Sequence, residues 1–459
     1  MPFAVTATIS FLIVLGIMVL VHEFGHFAVA KLCGVRVEVF SLGFGTRLFG
    51  VKWGDTDYRI SALPLGGYVK MSGETPGSET TGDPGEFSAH PRWQRVLIAV
   101  AGPVANFLLA FVLMAGLYTM HNEVEQYLAL PAVLDVVPAN SAAARAGLES
   151  GDRIIRFDEE KNPTWERLTD RAMADVNSTV PITVERAVNR ETKQFSTELL
   201  LADSSHGQDF EIESLGLLPK EQDGPVLIQD VVPGHPAAMA GLRSGDGLAA
   251  VNGQPVHGVA AVIAVLNEAG NKPANLLIDR NGKQFSATVQ PVWTEYSTGQ
   301  APGYALGFVP APPPFTVEQL PLSQAIKRSA SYNLHYSGLI LDILHRMFTR
   351  HGAVMQQLSG PIGMARMTGE AAEMHGWQPI IGLMALISLN LGIMNLLPIP
   401  ILDGGMILLL CIEGILRRDL KQEFKERVYQ VAFVMLILFF AIVMVNDVSK
   451  LNLFQHLKP

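Results

Sequence analysis

His22, Glu23 and His26 stand together in the string HEFGH, which on a helix puts two imidazoles one turn apart on one face, with a carboxylate beside them. Neutral imidazoles at this spacing can share one Zn²⁺ ion. The adjacent carboxylate can take a proton from a metal-bound water and later pass it to a leaving amine. The chemistry on offer is amide hydrolysis. HEFGH closes residues 3–21, an uncharged apolar stretch, and three ionisable groups within five residues at such a place mark function rather than packing.

A zinc site of this kind needs a third ligand. The run NLGIMNLLPIPILDGG at 390–405 supplies a candidate in Asp403, which follows apolar residues interrupted by Pro398 and Pro400. The prolines should break a helix, which is tolerated inside a membrane where the backbone lines a protein-enclosed cavity. Counted from Trp377, Asp403 lies at a depth comparable to that of His22 approached from the same side. It completes a His, His, Asp set and leaves the fourth zinc position to water. His335, His345 and His351 read instead as solvated or interfacial histidines.

The elements that must position these groups follow from composition. The chain has 459 residues, 49% hydrophobic and 17% charged, the balance of a membrane protein with a sizeable soluble part. Cys33 and Cys411 provide neither a disulfide framework nor a cysteine zinc site, and no basic patch suggests nucleic acid. Four uncharged stretches, 3–21, 96–119, 377–402 and 428–446, are each long enough to cross a hydrocarbon core of about 30 Å. No Lys or Arg precedes Lys31, so the first is expected to be a retained helix rather than a signal peptide.

Basic residues set the expected orientation. Lys31, Arg36, Arg47, Lys52, Arg59, Lys70, Arg92 and Arg95 lie between the first two spans, and Arg417, Arg418, Lys421, Lys425 and Arg427 between the last two. Both loops should be cytoplasmic, which puts both termini and the long middle region on the far side. That middle region is acidic, with 24 acidic against 14 basic residues from Glu125 to Glu295.

Residues 35–40 and 58–60 are strand-like, with turn signals at Gly43, Gly45, Gly54, Gly66 and Gly67. A soluble hairpin and a sheet edge dipping into the membrane beside the metal fit this pattern equally. In the second span, AGPVANF offers small residues for close helix packing. Asn106, which needs a partner in hydrocarbon, reads as a packing residue before a catalytic one. Within 316–374, the apolar positions Leu339, Ile340, Leu341, Ile343, Leu344, Met347 and Phe348 are interrupted by Asp342, His345 and Arg346. They predict an amphipathic helix, surface-lying or packed on the bundle, rather than a fifth span.

The middle region contains a repeat: VVPANSAAARAGLESGDRI from Val136 and VVPGHPAAMAGLRSGDGL from Val231. Each copy predicts strand, short helix, Gly-Asp turn and strand, so two homologous modules are expected. AGLRSGD followed by VNG resembles the PDZ domains of bacterial envelope proteases. Such modules bind extended peptides by strand addition; spacers or a steric gate fit the repeat equally.

Taken together, HEFGH, FSLGFG, LGGYVKM, AGPVANF, the two repeats, LSGPIG at 358–363 and NLLPIPILDGG resemble the site-2 proteases, the zinc intramembrane proteases. Within that family the chain is most similar to the bacterial regulator of sigma-E protease branch, with four spans and tandem PDZ domains. The resemblance implies a polytopic α-helical membrane protein of four transmembrane helices and a re-entrant β-hairpin, with two periplasmic α/β PDZ domains. The expected division is 1–125 for spans one and two, 126–220 and 221–310 for the PDZ domains, 311–376 for an amphipathic region and 377–459 for spans three and four. It implies Zn²⁺ on His22, His26 and Asp403, Glu23 as base, and Asn390, Asn395, Pro398 and Pro400 holding substrate. Expected substrates are single-pass membrane proteins already shortened by another protease: an anti-sigma factor and remnant signal peptides, in an envelope stress response at the bacterial inner membrane. Many relatives carry His after LDGG where this chain has Met406, a change expected beside the site rather than in its ligands. A non-catalytic membrane scaffold recruiting envelope proteins through PDZ modules is the competing expectation, opposed by the intact HEFGH and Asp403.

Overall fold

An unbroken apolar run can satisfy its backbone without water only as a helix, and residues 3–33 do so as α1 (Phe3–Cys33). The computed structural model describes residues 3–74, 82–120, 122–189, 191–202, 212–294, 303–349, 360–374 and 376–450. These fall into two units, one of Met1–Asn122, Glu318–His345 and Leu358–Pro459, the other of Glu123–Val317 and Arg346–Gln357.

In the first unit, α1 is followed by the strands β1 (Val37–Trp53) and β2 (Thr56–Met71), then α2 (Arg92–Thr119), α3 (Leu322–Thr349), α4 (Pro361–Glu373), α5 (Gln378–Asn395), α6 (Asp403–Leu416) and α7 (Gln422–Lys450). Among the described residues four helices are long and apolar enough to cross a membrane: α1, α2, α5 and α7. The protein is therefore a multi-pass membrane protein, as its composition predicts. The third expected span, 377–402, is the one that differs. Its helix stops at Asn395, a non-helical stretch carries Pro398 and Pro400, and α6 then begins at Asp403. Proline lacks the N–H an ongoing helix requires and disfavours helical backbone in the residue before it, so the helix restarts only once the prolines are past.

Close approach organises the core. A Cβ on Gly25, the glycine of HEFGH, would collide with the Ala101 carbonyl, so only glycine lets α1 lie this near α2. Helix α3 packs on the bundle: Ala325, Tyr332, Tyr336 and Ile340 join Ala110, Met114 and Leu389 in one apolar cluster, and Ser329 Oγ donates to the Phe111 carbonyl at 2.7 Å. Of the two placements open for this segment, bundle packing is the one realised. His351 lies outside the described residues. The Asp447 carboxylate of α7 accepts N–H groups from Gly360, Ile362 and Gly363 at 2.8–3.1 Å, a buried anion at the N-terminus of α4.

The strands between the first two spans are much longer than the sequence pattern suggests. β1 and β2 are antiparallel and fold over each other, so that 56–61 lies between 47–53 and 39–42 while 67–71 runs along the outer side of 37–42. Bends at Gly43 and Gly66, both at left-handed φ, make this possible and hide the strands' alternation from a reading of the sequence. The tip is exposed and apolar, with Phe44, Leu48, Phe49, Val51 and Trp53.

In the second unit, the repeats fold alike. Ile154, Phe157, Trp165, Leu168, Ile182 and Val184 centre one core; Ile228, Leu248, Val251, Val262, Leu276 and Ile278 centre the other. Each SGD aspartate forms a two-pronged pair with an arginine on a later strand, Asp152 with Arg186 and Asp246 with Arg280. Each arginine also donates to the carbonyl of the repeat's glycine, Gly147 or Gly241, and lies over an aromatic ring, Phe195 or Phe285. Val136 and Leu218, on the first side of a boundary at 220, pack into the second core. Asp135 binds His257 through both the backbone N–H and the ring, at 2.7 and 2.6 Å.

Candidate metal centre

His22 and His26 share the face of α1 turned toward α2 and the start of α6, and both are more than nine-tenths buried. Asp403 occupies the first helical position of α6. His22 Nε2 lies 3.1 Å from Asp403 Oδ2, His26 Nε2 3.4 Å from Asp403 Oδ1, and the two Nε2 atoms 3.2 Å apart. Among the described residues this is the one group of three able to hold a metal ion, with all ligand atoms within 4.8 Å of one another. The fold thus brings together what the sequence separates most widely.

Hydrogen bonding decides which atoms face inward. His26 Nδ1 lies 2.7 Å from the Ile98 carbonyl, which can only accept, so Nδ1 carries the proton and Nε2 of the neutral ring holds a lone pair. The side-chain amide of Asn106, fully buried, lies 3.1 Å from His22 Nδ1. Its Oδ1 has no partner. Exchanging the two amide ends, which differ little in size, turns Oδ1 onto an Nδ1–H and gives His22 the same tautomer as His26. Two lone pairs then converge beside Asp403 Oδ2, itself buried and without a hydrogen-bond donor. A cation is what such a donor set lacks, and two imidazoles plus one carboxylate suit a single Zn²⁺ with one position left for water.

Glu23 is no part of the ligand cluster. Its Oε2 accepts the Val69 N–H at 2.9 Å, and the side chain lines a cavity of about 350 Å³ shared with His22, His26 and Asp403. Of the residues expected to hold substrate, Asn395 lines this cavity, its amide 3.3 Å from His22 Nε2. Asn390 is exposed on α5; Pro398 is exposed and Pro400 half-buried in the break before α6. Met406 lines the cavity and packs against the Ala30 and Ile98 cluster. His335 and His345 lie on α3, outside the metal-binding group.

Sequence reasoning missed the contribution of α2. Asn106 touches a metal-facing histidine, and a Cβ on Gly102 would run into the His26 ring. The signal was present: Gly102 and Asn106 are four apart and share a face, so a buried amide and the small residue admitting a ring were already adjacent. Glu74 and Tyr68, also in the cavity lining, carried no such signal.

A zinc-binding triad with both histidines on a membrane-length helix, and a carboxylate beside it in a cavity, defines an intramembrane zinc protease. Residues 10–439 match peptidase family M50, and the chain belongs to that family. It is 33% identical over 460 residues to a "Putative zinc metalloprotease" of Vibrio cholerae, covering 96% of this chain and 98% of that one. It is similarly 33% identical over 470 residues to "Regulator of sigma-E protease RseP" of Escherichia coli, and 32% identical over 466 residues to "Protease RseP" of Yersinia pestis, with the same coverage in each case.

Proposed function

We propose that this protease cuts within the transmembrane segment of single-pass membrane proteins after another protease has removed part of their extracytoplasmic portion. The observation that carries this is the placement of His22 and His26 on a helix long and apolar enough to cross a membrane. A substrate reaching such a site is itself in the membrane. Likeness to a sigma-E regulator points to an anti-sigma factor as one substrate, remnant signal peptides as others, and an envelope stress response at the inner membrane as the setting.

His22, His26 and Asp403 would hold the ion, and Zn²⁺ bound there would make a water acidic enough to give up its proton near neutral pH and so act as the nucleophile. Glu23 would accept that proton on its carboxylate and deliver it to the departing nitrogen. Asn395, beside His22, orients the scissile segment; Asn390, Pro398 and Pro400 shape the approach, the prolines by ending α5 so that Asp403 starts a new helix. A helical substrate hides its carbonyls in internal hydrogen bonds and must unwind first. The edge of β2 at 67–71, beside Glu23, receives the unwound strand. The apolar tip of the β1–β2 hairpin supports a re-entrant placement in the membrane.

The matched Asp–Arg pairs of the two repeats support tandem PDZ domains, at 126–220 and 221–310. With the basic loops cytoplasmic, these domains and both termini are periplasmic and the metal lies near the cytoplasmic side. The tandem then works as a filter against substrates with bulky outer domains.

The decisive experiment is cleavage of a truncated single-pass helix by the purified protein in detergent, with zinc content measured in parallel. Glu23→Gln and chelator should each abolish cleavage, the variant keeping about one zinc per chain because Glu23 is not a ligand. Full activity in Glu23→Gln, or wild-type protein without zinc or cleavage, would overturn the reading.

A further inference from the structure

A strand at a sheet edge turns the N–H groups of alternate residues outward, where another chain can meet them. Residues 67–71 of β2 pair with 37–42 along one side only. On the other side the Val69 N–H donates to Glu23 Oε2 at 2.9 Å, and the Met71 N–H donates to Glu74 Oε2 at 3.2 Å. Two successive outward donors are each held by a carboxylate, and both carboxylates line the cavity of His22, His26 and Asp403. An extended peptide added to this edge would bring its carbonyl oxygens to these same two N–H groups.

We propose that Glu74 is a positioning residue which, with Glu23, occupies the substrate's place on the β2 edge, so that the incoming main chain displaces Glu74 from Met71 and frees Glu23 from Val69 toward the attacking water. The inference rests on the strand-addition reading of the β2 edge. Both carboxylates are held at the edge by the protein's own backbone N–H groups, so a single stray carbonyl does not uncap it. A strand that makes several main-chain bonds and fills the cavity does. A segment still helical cannot, because its carbonyls are already bonded internally. The base is therefore engaged with the protein until an unwound substrate is in register. Glu74 carries the second half of that selection.

Removing the Glu74 competitor makes substrate binding easier. With purified full-length, zinc-loaded enzyme and a truncated single-pass helix, Glu74→Ala lowers KM about three- to tenfold, with a smaller change in kcat. Glu74→Gln, which keeps an uncharged acceptor, falls between it and the wild type. A purely structural role would raise KM or strip zinc in Glu74→Ala and be rescued by Glu74→Gln, which would overturn the proposal. Should Glu74→Ala fail to fold, Glu74→Asp carries the test: it keeps the charge, withdraws the carboxylate by one methylene and lowers KM likewise, and an unchanged KM there overturns the proposal. A photo-cross-linker, Tyr68→benzoylphenylalanine, separates the two layers. Cross-linking to substrate with KM unmoved in the Glu74 variants sinks the role of Glu74 alone; no cross-link sinks the strand reading beneath it.

Discussion

The side-chain amide of Asn106 lies 3.1 Å from Nδ1 of His22, on the side of the ring turned away from Asp403. Through this side chain α2 selects which nitrogen of His22 faces the ligand cluster. Groups that orient a ligating imidazole usually account for about 10–100-fold in metal affinity. Asn106→Ala should lose zinc by about that factor, read by competition with a chromophoric chelator, while Asn106→Asp, which keeps an acceptor, should lose less. Zinc affinity equal to wild type in Asn106→Ala would show that the amide only packs.

Gly102 tests the same face of α2 by volume instead of polarity. A Cβ there would meet the rings of both His26 and His22, whereas one at Gly116 further along the helix meets nothing within 4 Å. Gly102→Ala should therefore lower zinc content and activity and destabilise the fold by about 1–3 kcal/mol, the usual range for overpacking. Gly116→Ala should leave zinc content at the wild-type level. Metal analysis of both purified variants decides it.

These two residues mark where the sequence stopped being legible. HEFGH and Asp403 could be read because metal chemistry admits few residue types and the helical period fixes their spacing. Asn106 could not be assigned, because an amide in an apolar helix satisfies helix packing as well as a second role, and only the approach of α1 distinguishes them. The prolines at 398 and 400 announced a break but not that a new helix would begin on the ligand itself. The β1–β2 strands were seen as fragments because bends at Gly43 and Gly66 interrupt the alternation on which strand reading depends. The repeat was visible from VVP to SGD, whereas its Arg186 and Arg280 partners lie beyond the matching segment.

Deleting 130–309 tests the filter. If the tandem keeps bulky outer domains from the site, the deleted enzyme should cut intact single-pass substrates that the full-length enzyme leaves alone, while cutting shortened substrates at a similar rate. The measurement is the ratio of the two cleavage rates for each enzyme in the same vesicles. An unchanged ratio would remove the tandem from substrate selection.

Glu221 gives the second unit a pH dependence of defined sign. Burial raises its pKa from 4.5 to about 7, the nearby Glu125 and Asp135 add to that, and hydrogen bonds from the Val259 and Ala260 N–H groups oppose it. The folded state therefore binds a proton that the unfolded chain releases, over the window from about pH 4.5 to about pH 7. The contribution of Glu221 to stability is present in full below that window and is lost as pH rises through it. Above it, the folded protein carries a poorly solvated carboxylate beside other acids. Glu221→Gln keeps an acceptor for the Val259 N–H and has no charge to bury. It should match wild type near pH 4.5 and unfold at a higher temperature than wild type at pH 8, with slower amide exchange at the start of the Val259–Ala269 helix. A stability difference independent of pH would place the effect in packing and not in the buried charge.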